Sequence, residues 1–469
     1  MLFSSTLLPP MAIAWWYDET EVDAFFTGFL LLLAIGALVR LTAGRGRREL
    51  RMRDGFLVVV LFWSVLGLSG ALPLLLADGL DISLADAVFE SVSGLTTTGA
   101  TVILGLDALP RAILYYRQQL QWLGGMGIVV LAVAVLPMLG IGGMQLYRAE
   151  TPGPIKDSKL TPRITETAKA LWLIYLGLTL ACGLAYWAAG MSPFDALAHA
   201  YSTIAIGGFS THDASMGWFD STLIEMIAVL FMLLAGLNFA LHYTAWRSRD
   251  PRAYLRDTEA RFFIGLSLLA ALLTTFVLYD TGTYGDWKEA LYKGLFQAVS
   301  IGTTTGFTTA EFYYWPGFLE ILLLFTAFIG GCAGSTGGGI KVIRVQLLIK
   351  QGAREIGRLI HPSAQIPVRI GGRVIPGRVI EAVWGFFALY VASFTLMYLA
   401  LTFTGLDLMT AFSAVAACIN NLGPGLARVG ANYADLSDTA KWILCFAMLL
   451  GRLEVFPLLV ILAPGYWRN

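Results

Sequence analysis

Gly94-Leu95-Thr96-Thr97-Thr98-Gly99-Ala100-Thr101-Val102 returns three more times along this chain in altered form. The second copy is Ala205-Ile206-Gly207-Gly208-Phe209-Ser210-Thr211 and the third Thr303-Thr304-Thr305-Gly306-Phe307-Thr308-Thr309. The fourth and most altered is Asn420-Asn421-Leu422-Gly423-Pro424-Gly425. Aligned on Gly99, Gly208, Gly306 and Gly423, the copies are 109, 98 and 117 residues apart. Each follows a short run of apolar or small residues and lies between two long apolar stretches. Glycine recurs at helix contacts in lipid, which would account for one such site. Four at a near-constant period mean one unit used four times.

Across 469 residues, 57% are hydrophobic and 14% charged, too apolar for a soluble globule. Many apolar runs reach the roughly 20 residues that cross a bilayer as a helix. The fold class is therefore an all-α integral membrane protein. Lys plus Arg equal Asp plus Glu at 32 each, a balance that points to no nucleic-acid partner. Cys182, Cys332, Cys418 and Cys445 have no paired spacing and read as buried thiols. The first apolar stretch carries no charged leader and runs into Pro9-Pro10, so no cleavable signal peptide is expected.

The chain divides into an N-terminal helical pair with a basic loop (1–53) and four repeats (54–150, 151–250, 251–375 and 376–469). Residues 1–17 are at best a marginal span, and 23–41 a better one. The repeats carry spans at 55–77 and 118–146, 168–190 and 222–246, 260–280 and 317 onward, 379–404 and 438–462. Short helices lie between them at 82–95, 194–206, 287–303 and 408–420. Basic residues gather at Arg40–Arg53, Arg148–Lys169, Arg247–Arg256 and Lys350–Arg378, marking the cytoplasmic side, while the opposite loops are acidic. Both termini are then cytoplasmic. Each unit crosses twice, about ten spans in all with the N-terminal pair. The short helices cannot cross; they enter from outside and turn back, which makes the repeats parallel.

A turn at membrane depth is tolerated only where protein covers it or where it lines a watery path. Four of them can meet on one axis and present carbonyl oxygens in place of a cation's water shell. Glycine at the centre permits backbone angles closed to other residues. The side chains differ among the copies and bring no ring of carboxylates, so the backbone must supply the chemistry and an alkali cation is the natural ligand.

These residues resemble the TrkH branch of the Trk/Ktr/HKT potassium transporter superfamily over nearly the whole chain. The matching motifs are Gly94–Thr101, Gln121–Gly127, Ser202–His212, Gly330–Arg344, Asn420–Gly425 and Gly451–Phe456. The resemblance implies potassium uptake across the bacterial inner membrane through a single-chain four-repeat pore preceded by two extra helices. It implies a homodimer and control by a cytosolic TrkA-type ring carrying the nucleotide, NAD or ATP, with no cofactor on this chain beyond the potassium ion. The family's potassium contacts carry over onto Thr97, Thr98, Ile206, Gly207, Thr304, Thr305, Asn421 and Leu422, with Gly99, Gly208, Gly306 and Gly423. The first helix is shorter than the family's.

The second span of the third repeat, Pro316 to Lys350, is too long for one straight crossing and holds Gly330-Gly331-Cys332-Ala333-Gly334-Ser335-Thr336-Gly337-Gly338-Gly339. Glycines in a helix interior each cost about 1 kcal/mol against alanine, so the helix should break there. A phosphate loop ending at Lys341 lacks the required spacing and a preceding strand. The preferred reading is a plug beneath the turns, and the resemblance implies an intramembrane gate there. Arg452 and Glu454 lie inside the last span, where a charge faces a partner or a cavity. They form either a structural ion pair or, as the resemblance favours, a gate in which Arg452 repels cations below the turns. Glu90 either draws cations or supports a hydrogen-bond network. His199, His212, His242 and His361 have no ligand spacing. Trp15, Trp16, Tyr115, Tyr116, Trp218, Tyr313, Tyr314 and Trp315 read as interfacial anchors. The basic 350–378 segment either holds anionic lipid or docks a cytosolic partner.

The rival mechanism is a proton- or sodium-coupled potassium symporter with alternating access, usually built from inverted repeats or broken helices at a midplane site. An enzyme would need a convergent catalytic set, and neither a nucleophile–base pair nor a metal cluster is legible.

Overall fold

The computed structural model describes residues 1–42, 52–130 and 164–468. Among them, five helices are long and apolar enough to cross a bilayer: Val22–Thr42, Asp54–Leu76, Ala168–Ala188, Thr258–Asp280 and Gly377–Phe403. Only 17% to 33% of each apolar window is buried. Leucines and phenylalanines on their outer faces stay exposed, as lipid-facing side chains do. The polarity of packing is thus that of a membrane protein, with the short helices inside and the spans around them.

The short helices are Leu84–Leu95, Pro193–Ala205, Trp287–Gly302 and Leu408–Ile419. Each begins at a residue whose side chain accepts a first-turn amide. Ser83 and Asp86 form a reciprocal capping box, while Ser192, Asp286 and Asp407 accept from Asp195, Lys288 and Thr410. With 12 to 16 residues they are too short to cross. Their last turns are buried almost throughout.

Several expected crossings are built differently. Residues 1–17 form a 3-10 turn, Leu2–Leu7, and a nine-residue helix, Leu8–Trp16, about 14 Å long and no span. The expected spans 222–246 and 438–462 are both broken. Thr222–Gly236 and Phe239–Ser248 meet at 96°, and Asp438–Arg452 and Phe456–Leu462 at 117°. In the third repeat, Gly317–Ile329 and Val342–Ile360 flank the expected glycine break. The helix Arg111–Val130 opens the second crossing of the first repeat. The remainder of that crossing, and the basic residues from Arg45 to Arg51 and from Arg148 to Arg163, lie outside the described residues. Strand structure among the described residues is one antiparallel pair, Arg369–Ile370 with Arg373–Val374, inside the basic 350–378 segment.

The anchors divide. Trp15, Trp16, Trp218 and Tyr314 are exposed, but Tyr115, Tyr116 and Trp315 are buried. The Tyr116 hydroxyl donates to the Gly70 carbonyl at 2.9 Å, which lets its polar tip lie in the interior. The four cysteines are buried, as expected.

Candidate functional site

All four short helices end in the same hydrogen-bonded turn. The amides of Thr97, Ile206, Thr304 and Asn421 donate to the carbonyl three residues back. Those of Thr98, Gly207, Thr305 and Leu422 donate to the carbonyl five back, at 2.8 to 2.9 Å. This double closure is the Schellman arrangement, which needs a left-handed residue at the helix end, usually glycine. Here the left-handed residues are Thr97, Ile206, Thr304 and Asn421, with φ between 52° and 68°. Three are β-branched, for which this conformation is a strained outlier held by its surroundings. Two residues on, Gly99, Gly208, Gly306 and Gly423 are left-handed again, at φ 81° to 97°.

The copies close on one another in a ring. A side-chain carbon placed on Gly99 would strike the Gly207 carbonyl oxygen, and one on Gly208 that of Thr305. One on Gly306 would strike that of Leu422, and one on Gly423 that of Thr98. The middle carbonyl of each copy therefore lies against the glycine of its neighbour, and the fourth copy closes back on the first. Asn421 Nδ2 donates to Thr98 Oγ1 at 3.0 Å across that last junction. The predicted contact residues thus come together around one centre, although 326 positions separate Thr97 from Gly423 in the chain.

On one side of the ring a cavity of about 450 Å³ has Gly99, Gly208, Gly306 and Gly423 in its lining, with Asp213 and Glu311. On the opposite side lies the glycine segment. Gly338 donates its amide to Thr304 Oγ1 at 2.7 Å, and Gly339 donates to the Asn420 carbonyl at 3.1 Å. Thr336 Oγ1 donates to the Ile204 carbonyl at 2.9 Å. Arg452 donates to the Thr336 carbonyl at 3.0 Å and to that of Gly124 at 3.3 Å. Gly124 in turn abuts the Leu95 carbonyl. The loop thus bonds to the ends of the second, third and fourth short helices, and Arg452 reaches the first through Gly124. Ser335 and Gly337 complete the segment, with Gly337 against the Thr303 carbonyl. Gly334 accepts from the Phe239 amide.

The two unexpected breaks anchor this loop. Asn238, at the second-repeat break, donates to the Ala333 carbonyl at 2.6 Å, and Glu259 accepts the Ala333 amide at 2.6 Å. At the fourth-repeat break, Glu454 pairs with Arg344 at 2.8 Å, just beyond the loop. The intrahelical pair Arg452–Glu454 weighed from the sequence is absent; the two side chains serve different partners.

Glu90 is wholly buried and joins a network. It accepts from Arg117 Nε at 2.7 Å, from the Val102 amide at 2.9 Å and from Thr101 Oγ1. Arg117 was not foreseen, nor was Gln121, whose amide clamps the second copy. Gln121 Nε2 donates to the Gly207 carbonyl at 2.6 Å, and its Oε1 accepts from Ser202 Oγ at 2.7 Å. Gln121 lay inside a motif recognised in the sequence, but nothing local gives an amide this task. His212 is more exposed than His199 and His242. It stacks on Trp218 at 3.7 Å, is hydrogen-bonded to Asp107 and lies 3.5 Å from Asp195 Oδ1. Burial pulls its pKa down, but the two carboxylates prevail and the net shift is upward. Among the described residues no group of three or more His, Cys, Asp or Glu side chains could hold a metal ion.

With this geometry established, comparison with known proteins is direct. The TrkH family profile, described as cation transport protein, matches residues 21–468. The Trk system potassium uptake protein TrkH of Vibrio parahaemolyticus is 57% identical over 470 residues, covering 100% of this chain and 97% of that protein. Trk system potassium uptake protein TrkG of Escherichia coli K12 is 43% identical over 468 residues, covering 100% and 96%. The crystal structure of the potassium transporter TrkH from Vibrio parahaemolyticus superposes with a TM-score of 0.92 at 55% identity, covering 100% and 97%. The chain belongs to the TrkH family of cation transport proteins.

Proposed function

We propose that this chain carries potassium into the bacterial cell across the inner membrane, through a selectivity filter formed by the four turns. One observation carries the reading: the carbonyls of Thr98, Gly207, Thr305 and Leu422 each lie against the neighbouring copy's glycine, in a ring that closes. Such a ring can take the place of water around an alkali cation. The four short helices aim their C-termini, the negative ends of their dipoles, at the same centre. Relatives at 57% and 43% identity named as potassium uptake proteins make potassium the ion of choice.

In this reading potassium enters the outer cavity, loses water at the ring and meets the loop Gly334–Gly339, which with Arg452 is the gate. Opening requires the loop to give up its bonds to Ile204, Thr304 and Asn420. The anchors at Asn238, Glu259 and Arg344 connect it to the cytoplasmic ends of neighbouring helices, where a TrkA-type ring with bound NAD or ATP would act. Homodimerisation, lipid contacts of the 350–378 segment, cytoplasmic termini and the repeat boundaries 54–150, 151–250, 251–375 and 376–469 belong to the same proposal.

The test is rubidium uptake into liposomes holding this chain alone, down a potassium gradient with no proton gradient, beside Gly306→Ser and a loop deletion. Concentrative uptake that Gly306→Ser makes less selective supports the channel-like filter. Silence relieved by the loop deletion supports the gate. Silence in both, broken only by an imposed proton or sodium gradient, overturns the reading in favour of coupled symport.

A further inference from the structure

The four copies share a second register, one layer behind the carbonyls. Seven residues before each left-handed turn residue stand Glu90, His199, Gln297 and Ala414, preceding Thr97, Ile206, Thr304 and Asn421. Three of the four are polar, and all three are fully buried in the short helices. Each reaches the backbone that leaves its own turn. Glu90 accepts the amide of Val102, three residues past Gly99, at 2.9 Å. Gln297 Oε1 accepts the amide of Thr309, three past Gly306, at 3.3 Å.

His199 does the same through a side chain. Its Nδ1 faces the Asp195 carbonyl at 2.9 Å, an acceptor, so Nδ1 carries the proton. Nε2 is then an acceptor and takes the Ser210 hydroxyl at 2.9 Å, two residues past Gly208. The fourth copy has alanine at this position, and the task moves one residue back. Ser413 Oγ accepts the amide of Leu426, three past Gly423, at 3.0 Å. Four side chains of different chemistry therefore make one contact, between a short helix and the outgoing segment of its own turn.

We propose that Glu90, His199, Gln297 and Ser413 are positioning residues that hold the carbonyl ring at the size that separates potassium from sodium. A ring of carbonyls is selective only while its radius is kept, and a backbone tied at the helix end alone is free to swing at the outer end. The struts supply the second tie. They are unequal. Glu90 is charged and is itself braced by Arg117, which also donates to the Ser210 carbonyl at 3.1 Å and so joins copies one and two. Gln297 makes the longest contact of the four, and its Nε2 is buried without a partner. Gln297 is the weakest of the four struts, and in its copy Ser300 Oγ adds a tie by donating to the Phe307 carbonyl at 2.7 Å.

The inference rests on the filter reading, and the experiment separates the two. Rubidium and sodium uptake are measured in liposomes for the loop-deleted chain and for the same chain carrying Gln297→Leu, Ser413→Ala, Glu90→Gln or Gly306→Ser. The ratio of the two rates does not depend on how much protein folded. Loss of one net hydrogen bond predicts a fall of about fivefold in that ratio for Ser413→Ala. A smaller fall is expected for Gln297→Leu, with total rubidium uptake preserved in both. If Gly306→Ser lowers the ratio while the strut variants keep the parental value, the filter stands and the struts are merely structural. If Gly306→Ser also leaves it unchanged, the filter reading falls and the inference with it.

Discussion

Gly338 donates its backbone amide to Thr304 Oγ1 at 2.7 Å, so the loop that covers the inner mouth is bonded to a residue of the ring it covers. On the proposed reading, filter and gate share this hydrogen bond. Thr304→Val keeps the branched shape and removes the acceptor, leaving a buried amide unsatisfied in the closed arrangement. The closed form loses about 1 kcal/mol. Rubidium leak through the chain alone should rise roughly fivefold, and Thr304→Ser, which retains the hydroxyl, should not show the rise. Equal leak in the two variants would remove the bond from the gating account.

Arg452 places a guanidinium among the inner ends of the short helices and donates to Thr336 and Gly124. On the proposed reading its loss has two effects of one sign: the loop is freed, and a like charge leaves the cation's path. Hydrogen bonds to a charged donor contribute about 1.5–3 kcal/mol, so Arg452→Gln should raise basal rubidium flux by at least tenfold. Flux measured in liposomes at matched protein content decides it, and a lowered flux would make Arg452 a structural residue.

Gly105 and Gly208 separate backbone strain from ring geometry. Both are left-handed, at φ 69° and 81°, but a side-chain carbon on Gly105 meets open space and one on Gly208 meets the Thr305 carbonyl. Each alanine substitution costs about 1–2 kcal/mol for the conformation. Gly105→Ala should lower the melting temperature and leave the rubidium-to-sodium ratio alone. Gly208→Ala should lower both, as a thermal melt and the flux ratio will show.

His212 carries a pH dependence with a definite sign. Burial lowers its pKa, yet Asp195 and Asp107 leave it above the ordinary histidine value of about 6.5. A group whose pKa is raised on folding stabilises most below its unfolded pKa, and that contribution fades as pH climbs through the folded one. Wild-type thermal stability should therefore fall between about pH 6 and pH 8. His212→Gln should be less stable at pH 6 and should flatten the profile across the same interval. Identical slopes in the two proteins would count against the bridge.

Much of this architecture was legible along the chain because its causes are local. Four short helices betray themselves by length and by the turn glycines that follow. The break at Gly330–Gly339 was readable because glycine is costly in a helix. The breaks at Leu237 and Leu453 were not, since Thr222–Ser248 and Asp438–Leu462 look like ordinary apolar spans. At these breaks Asn238 and Arg452 bond to the loop, whose position is a tertiary fact. Tyr115, Tyr116 and Trp315 read as surface anchors for the same reason, since no sequence pattern shows the carbonyl at Gly70 that takes the Tyr116 hydroxyl.

By itself the sequence determined that the protein lies in a membrane, that one unit is used four times, and which glycines mark the turns. These follow from transfer energies and backbone sterics, which depend on residue type and spacing alone. Only the tertiary structure decided that the copies close into a ring in the order one to four and that the loop bonds to the second, third and fourth of them. It also decided that non-glycine residues, Ile206 among them, bear the left-handed strain. Closure depends on carbonyl oxygens from residues about a hundred positions apart meeting the same neighbours, and no local preference encodes that distance.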